Sequence, residues 1–158
     1  MRKEGFILFY ALLIVGVISL MAFGVSRTAL NEVTFSSLGK KSQQAFFAAN
    51  SGLECALYWD LRRAQFLPSS IGVPQESSLL CAGEVINFSK NTLGTKTITT
   101  FEITNLQNGT CADVLIEKEV LTASGAGESG ISTRIVSDGK DTCDPSARSL
   151  ERSIRVRY

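Results

Sequence analysis

Residues 1–27 read MRKEGFILFYALLIVGVISLMAFGVSR. A short polar tip, Met1 to Gly5, meets an uncharged apolar block from Phe6 to Ser26, which ends at Arg27. Roughly 20 residues at about 1.5 Å each reach about 30 Å, the thickness of a hydrocarbon core. Arg2 and Lys3 lie just before the block, which predicts an N-terminus in the cytoplasm and the remaining chain outside. A secretory signal peptide has a shorter apolar region followed by a small-residue cleavage site, a pattern this block does not show. Hydropathy alone does not separate a permanent anchor from a segment that later leaves the membrane.

The rest of the composition narrows the function classes. The chain has 158 residues, enough for the apolar segment and one outward domain of about 100 residues. Lys and Arg number 16 and Asp and Glu 15, so the net charge of +1 lacks the basic excess of a nucleic-acid surface. Arg148, Arg152, Arg155 and Arg157 cluster near the C-terminus, with the spacing of a solvated strand face. There is no histidine, the commonest general base and a common zinc ligand. Neither a phosphate-cradling glycine loop nor a nucleophile elbow occurs. No catalytic residue, cofactor or metal is expected, and the chain does not read as an enzyme.

The four cysteines, Cys55, Cys81, Cys111 and Cys143, all lie on the predicted outer side. An even number in a small exported domain predicts two disulfides. Spacings of 26, 30 and 32 residues contain no close pair, which disfavours a zinc knuckle.

No proline precedes Pro68, so one helix is predicted over about 6–66. Its first part, 6–26, is apolar all round, as a helix in lipid must be. Gly16 and Gly24 suit close helix packing. From Arg27 the pattern turns amphipathic. Val25, Ala29 and Val33 are spaced by four, as are Ala49, Leu53, Leu57 and Leu61, with Phe46 three before Ala49. Lys40, Lys41, Gln43, Gln44 and Asp60 fall on other faces. The β-branched residues, serines and glycine between Thr34 and Gly39 predict a kink or local melting there.

Beyond the helix the signal is mostly β. Residues 68–80 read as a loop, because Pro68 pushes Leu67 out of the helical region. Strands are predicted over 84–88, 95–104, 110–121, 131–136 and 150–158, with Asn108-Gly109 as a hairpin turn and Asp138-Gly139 in a loop. The fold expected is α+β, one long helix on a four- to five-stranded antiparallel meander. In such a meander Cys111, opening the third strand, lies beside Cys143, following the fourth. Cys111–Cys143 and, by exclusion, Cys55–Cys81 are the favoured pairs among the three connectivities open to four cysteines.

Arg2-Lys3-Glu4-Gly5 followed by Phe6-Ile7-Leu8 resembles the N-terminus of type IV pilins and the related secretion pseudopilins. The stretch Gln44-Ala45-Phe46-Phe47-Ala48-Ala49-Asn50-Ser51-Gly52-Leu53-Glu54 is similar to a helix segment of some minor pilins and tip pseudopilins. The resemblance implies a leader, 1–5, cut between Gly5 and Phe6 by a prepilin peptidase, with methylation of Phe6. It implies a membrane and filament-core helix over 6–26, an amphipathic helix over 27–67 and a β-rich extracellular head over 68–158. Most members carry glutamate at the fifth mature position, where it neutralises a neighbouring subunit's amine. Here that position is Tyr10, which implies a minor or tip-associated subunit.

The implied partners are other pilin subunits, the peptidase, an inner-membrane assembly platform and, before assembly, the bilayer. The implied location is the inner membrane, then an extracellular filament. The alternative is an uncleaved single-pass anchor carrying an extracellular binding or adhesion domain.

Overall fold

The computed structural model of the protein describes residues 4–67, 76–121 and 130–158. The fold is α+β. One helix, α1 (Glu4–Leu61), precedes six strands: β1 (Ser78–Cys81), β2 (Glu84–Leu93), β3 (Lys96–Leu106), β4 (Thr110–Leu121), β5 (Gly130–Lys140) and β6 (Glu151–Arg157). They form one antiparallel sheet in the order β1-β2-β3-β4-β5-β6, the expected meander with β1 added. The chain divides into two compact units, Met1–Lys40 and Lys41–Tyr158.

In the first unit the helix runs through the stretch where a kink was expected. Residues 34–39 are all helical. Thr34 Oγ1 donates to the Asn31 carbonyl at 2.7 Å, and Ser37 Oγ to the Thr34 carbonyl at 2.8 Å. Hydroxyls turned back onto the preceding turn do not compete for the helix's own amides, so weak propensity alone does not break it.

In the second unit α1 packs on one face of the sheet. The buried helix residues are Ala45, Ala48, Ala49, Gly52, Leu53, Ala56 and Asp60. They follow the three- and four-residue spacing of a single helical face. Strictly four-residue spacing instead drifts around the helix, because four residues exceed the 3.6 of one turn. The predicted stripe therefore begins at Ala49 and Leu53 but leaves the interface by Leu61, which is 65% exposed, and Phe46 is exposed as well.

The small side chains have a direct purpose. A Cβ added to Gly139 of β5 would overlap the backbone of Ala45 and Ala49. A Cβ added to Gly52 would press on Ser137, Val114 and Ala112. Helix and sheet backbones thus meet at near-minimal separation, and Gly139 lies inside β5, not in the predicted loop. Around this contact Leu53, Phe101, Ile103, Val114, Ile116 and Ile135 form the core.

The helix also ends earlier than predicted, at Leu61. Ala64 adopts a left-handed conformation (φ 52°), its N–H donates to the Asp60 carbonyl, and the Gln65 N–H donates to that of Trp59. These bonds satisfy the helix's last carbonyls and reverse the chain. The reversal buries Phe66, which stacks on Phe101 (centroids 6.3 Å) and meets Phe88 edge-on (6.2 Å). Gln65 is buried too, and its carboxamide exchanges two hydrogen bonds with the backbone of Glu76, at 2.6 and 2.9 Å.

β1 falls at the end of the predicted 68–80 loop, and residues 68–75 lie outside the described part. Ala82 and Gly83, both with positive φ, close its two-residue hairpin to β2. The hairpin predicted at Asn108-Gly109 joins β3 to β4 through residues 107–109, with φ of 65° and 72° at those positions. Residues 122–129, between β4 and β5, lie outside the described part.

One disulfide is present, Cys55–Cys81, with Cα atoms 5.8 Å apart, and it ties α1 to β1. The expected second bridge is not formed, since Cys111 and Cys143 are free thiols. The topology does bring them together. Cys111 opposes Lys140 across β4 and β5, the Cys143 N–H donates to the Gly109 carbonyl at 3.2 Å, and the two side chains hydrogen-bond. Burial first, and then the bond with Cys143, push the Cys111 thiol up to about 12. The thiolate is the reactive form, so a raised pKa leaves little of it at neutral pH. Alkylation without reductant is expected to modify two of the four cysteines, with Cys111 slow at pH 7 and accelerating as the pH climbs. Peptide mapping that recovers label on Cys55 or Cys81 would contradict this pairing.

Candidate functional site

Two regions concentrate the predicted site residues, one in each unit. In the first unit every described side chain from Phe6 to Thr28 is exposed. The segment belongs to the one described helix that is long and apolar enough to cross a membrane by length and composition. Gly5 is helical, and Phe6 follows it with its ring edge-on to Tyr10 at 4.9 Å. Phe9 meets Tyr10 in the same manner at 6.4 Å. Tyr10 therefore sits in an aromatic cluster, and no charged residue occurs from Phe6 to Ser26.

Two hydroxyls of this segment and its end bond back onto the helix's own carbonyls. Ser19 Oγ donates to the Val15 carbonyl at 2.8 Å and Thr28 Oγ1 to the Val25 carbonyl at 2.9 Å. A helix that satisfies its own backbone and hydroxyls suits apolar surroundings. The Arg27 guanidinium lies 5.1 Å from the Phe23 ring centre, so the first cation after the block folds over its last aromatic ring. Nothing lies within 4 Å of a Cβ placed on Gly16 or Gly24, so both glycines leave open notches on the helix surface.

In the second unit the sequence reading missed a buried ionic group. Asp60, expected on a polar face, is 7% exposed, and Lys118 is 4% exposed. Lys118 Nζ donates to Asp60 Oδ2 at 2.8 Å and to Thr133 Oγ1 at 2.9 Å. The Tyr158 hydroxyl donates to the same Asp60 oxygen at 2.6 Å. Burial, and then Asp60, drive the Tyr158 phenol well above its ordinary value, because a phenolate there would be desolvated and face a carboxylate. The cluster joins the end of α1 to β4, β5 and Tyr158. The signal was present in strand parity, since Lys118 shares the strand face of Val114 and Ile116 and so points to the helix.

Other charges lie on the outer face of the sheet. Lys140 pairs with Asp113 at 2.5 Å, and this hydrogen bond raises the Lys140 pKa. Glu117 pairs with both Lys96 and Arg134. Of the clustered arginines, Arg152 donates to Ser42 Oγ at 2.9 Å, and Arg155 and Arg157 are exposed on β6. Among the described residues no group of three His, Cys, Asp or Glu could hold a metal ion. No protein-family model, curated protein or solved structure matches the chain.

Proposed function

We propose that the chain is a structural subunit of a filament of the type IV pilus or pseudopilus kind. In this reading it is inserted in the inner membrane with Met1 inside, is cut after Gly5 by a prepilin peptidase, and is assembled through the helix that then begins at Phe6. The observation that carries the reading is the uncovered apolar surface from Phe6 to Ser26, which holds no charge and in which the Ser19 hydroxyl bonds back onto the helix's own Val15 carbonyl. Exposed apolar surface of that extent is stable only in lipid or against other helices. Moving it from one to the other is close to neutral in free energy, because both surroundings are apolar. A membrane platform can then transfer the subunit reversibly between bilayer and filament.

Tyr10 supports a minor or tip-associated subunit within this reading. A carboxylate at that position would offset the buried amine of an adjacent subunit, and a phenol offers a hydrogen bond without charge. The sheet unit, tied to α1 by Cys55–Cys81, forms the filament's outer surface.

The expected result for Gly5→Val is a chain that stays at full length in the membrane fraction and is missing from material sheared off the cell surface. A Gly5→Val chain shortened and sheared like the unsubstituted one would refute cleavage at this bond. An unsubstituted chain that remains uncut in cells with active peptidase would favour the anchored binding domain instead.

A further inference from the structure

A cavity of about 460 Å³ opens between the second half of α1 and the β3–β4 turn. Its lining includes Gln44, Phe47 and Ser51 from the helix and Asn105, Gln107 and Asn108 from the strand end and turn. None of its lining residues carries an ionisable side chain. The four carboxamides make no side-chain hydrogen bond to other described residues, so their donors and acceptors are uncommitted. Phe47 is 65% exposed, an aromatic face left uncovered beside them.

We propose that this cavity binds a neutral saccharide. A carboxamide both donates and accepts, and so does each hydroxyl of a sugar, so amides and vicinal hydroxyls match without any charge. An ionic ligand would find no counter-charge here, and a wholly apolar one would cover the amides without bonding them. The C–H face of a pyranose packs on an aromatic ring, and Phe47, which meets only the edge-on Phe46 ring at 6.1 Å among the described aromatic residues, remains 65% exposed for such a contact. The volume lies within the range of small-molecule sites and holds about one or two hexose rings.

The site's rim is fixed before any ligand arrives. Thr110 Oγ1 donates to the Gln107 carbonyl at 3.0 Å, and the Cys143 N–H holds the Gly109 carbonyl from behind. Asn108 takes a left-handed conformation, φ 65°, which asparagine tolerates better than most residues. A rim already ordered loses less entropy on binding. The proposal stands apart from the filament reading, since an anchored domain would carry the same cavity.

The test uses the full chain in a sugar-free zwitterionic detergent, titrated with galactose, N-acetylglucosamine, lactose and maltose, and read by saturation-transfer NMR. Saturable binding of at least one sugar is expected, with a dissociation constant on the order of 1 mM. Phe47→Ala and Asn108→Gly should each weaken it at least tenfold, with the melting temperature essentially unchanged, because Phe47 is exposed and glycine keeps the positive φ. Absence of saturation by all four sugars up to about 50 mM would overturn the proposal. So would an affinity that either substitution leaves unchanged.

Discussion

Gly139→Ala is expected to destabilise the sheet unit by about 3 kcal/mol or more, at the upper end of overpacking effects. The added methyl would meet the backbone of Ala45 and Ala49, not the end of a flexible side chain. Backbone inside a helix cannot step aside, so the whole helix would lift from the sheet. Lifting separates Ala48, Leu53 and Ala56 from the core they share with Val114, Ile116 and Ile135. Dispersion falls steeply over half an ångström of gap, so many contacts weaken together. For a unit of this size the melting temperature should drop by about 10 °C or more. Gly52→Ala should act in the same direction but less, since its neighbours Ser137, Val114 and Ala112 are side chains with some freedom to adjust. Thermal unfolding of the full chain in detergent decides it, and an unchanged transition for Gly139→Ala would show that the close approach is not required.

Lys118→Met should cost about 3–5 kcal/mol, because it leaves the buried Asp60 carboxylate without its cation. Asp60 already has one oxygen, Oδ1, with no partner, so little remains to solvate the orphaned charge. Replacing both partners, Asp60→Leu with Lys118→Met, should recover most of the loss. Two buried charges that offset each other are worth little more than a well-packed apolar pair, while one alone is expensive. The Tyr158 hydroxyl, which donates to Asp60, would lose its acceptor in the double variant, so recovery should be incomplete. Urea unfolding of the two single variants and the double variant closes the cycle. Additive losses would mean that Asp60 and Lys118 do not stabilise each other.

The elements the sequence made legible are those with strong periodicity or an unambiguous punctuator. The apolar block from Phe6, the Asn108-Gly109 hairpin and the strand from Thr110 to Leu121 are of this kind, and the meander followed from their order. Two errors share one cause. Gly139 and Asp60 were judged by residue type, as a turn glycine and a solvated carboxylate, when their position on a face governed both. Gly139 lies on the inward parity of β5 with Ile135 and Ser137, and Asp60 lies four residues after the buried Ala56. Side-chain parity is a property of the pairing register, which the bare sequence does not display. β1 has only four residues and follows a proline- and serine-rich stretch, so it gave no periodic signal of its own. The cysteine proximity was correct in topology, yet Cys111 and Cys143 are hydrogen-bonded thiols. The alanine and glycine content of residues 45–56 was visible throughout, but its reason, a sheet glycine seated against helix backbone, required the pairing of α1 with β5.

The central claim, that the chain is a cleaved filament subunit, is tested most directly by the intact mass and N-terminal sequence of the protein taken from its native membrane and from sheared surface material. The account predicts a chain beginning at Phe6 with one added methyl group on its amine. A chain still beginning Met1-Arg2-Lys3 in both fractions, in cells with active prepilin peptidase, would contradict it.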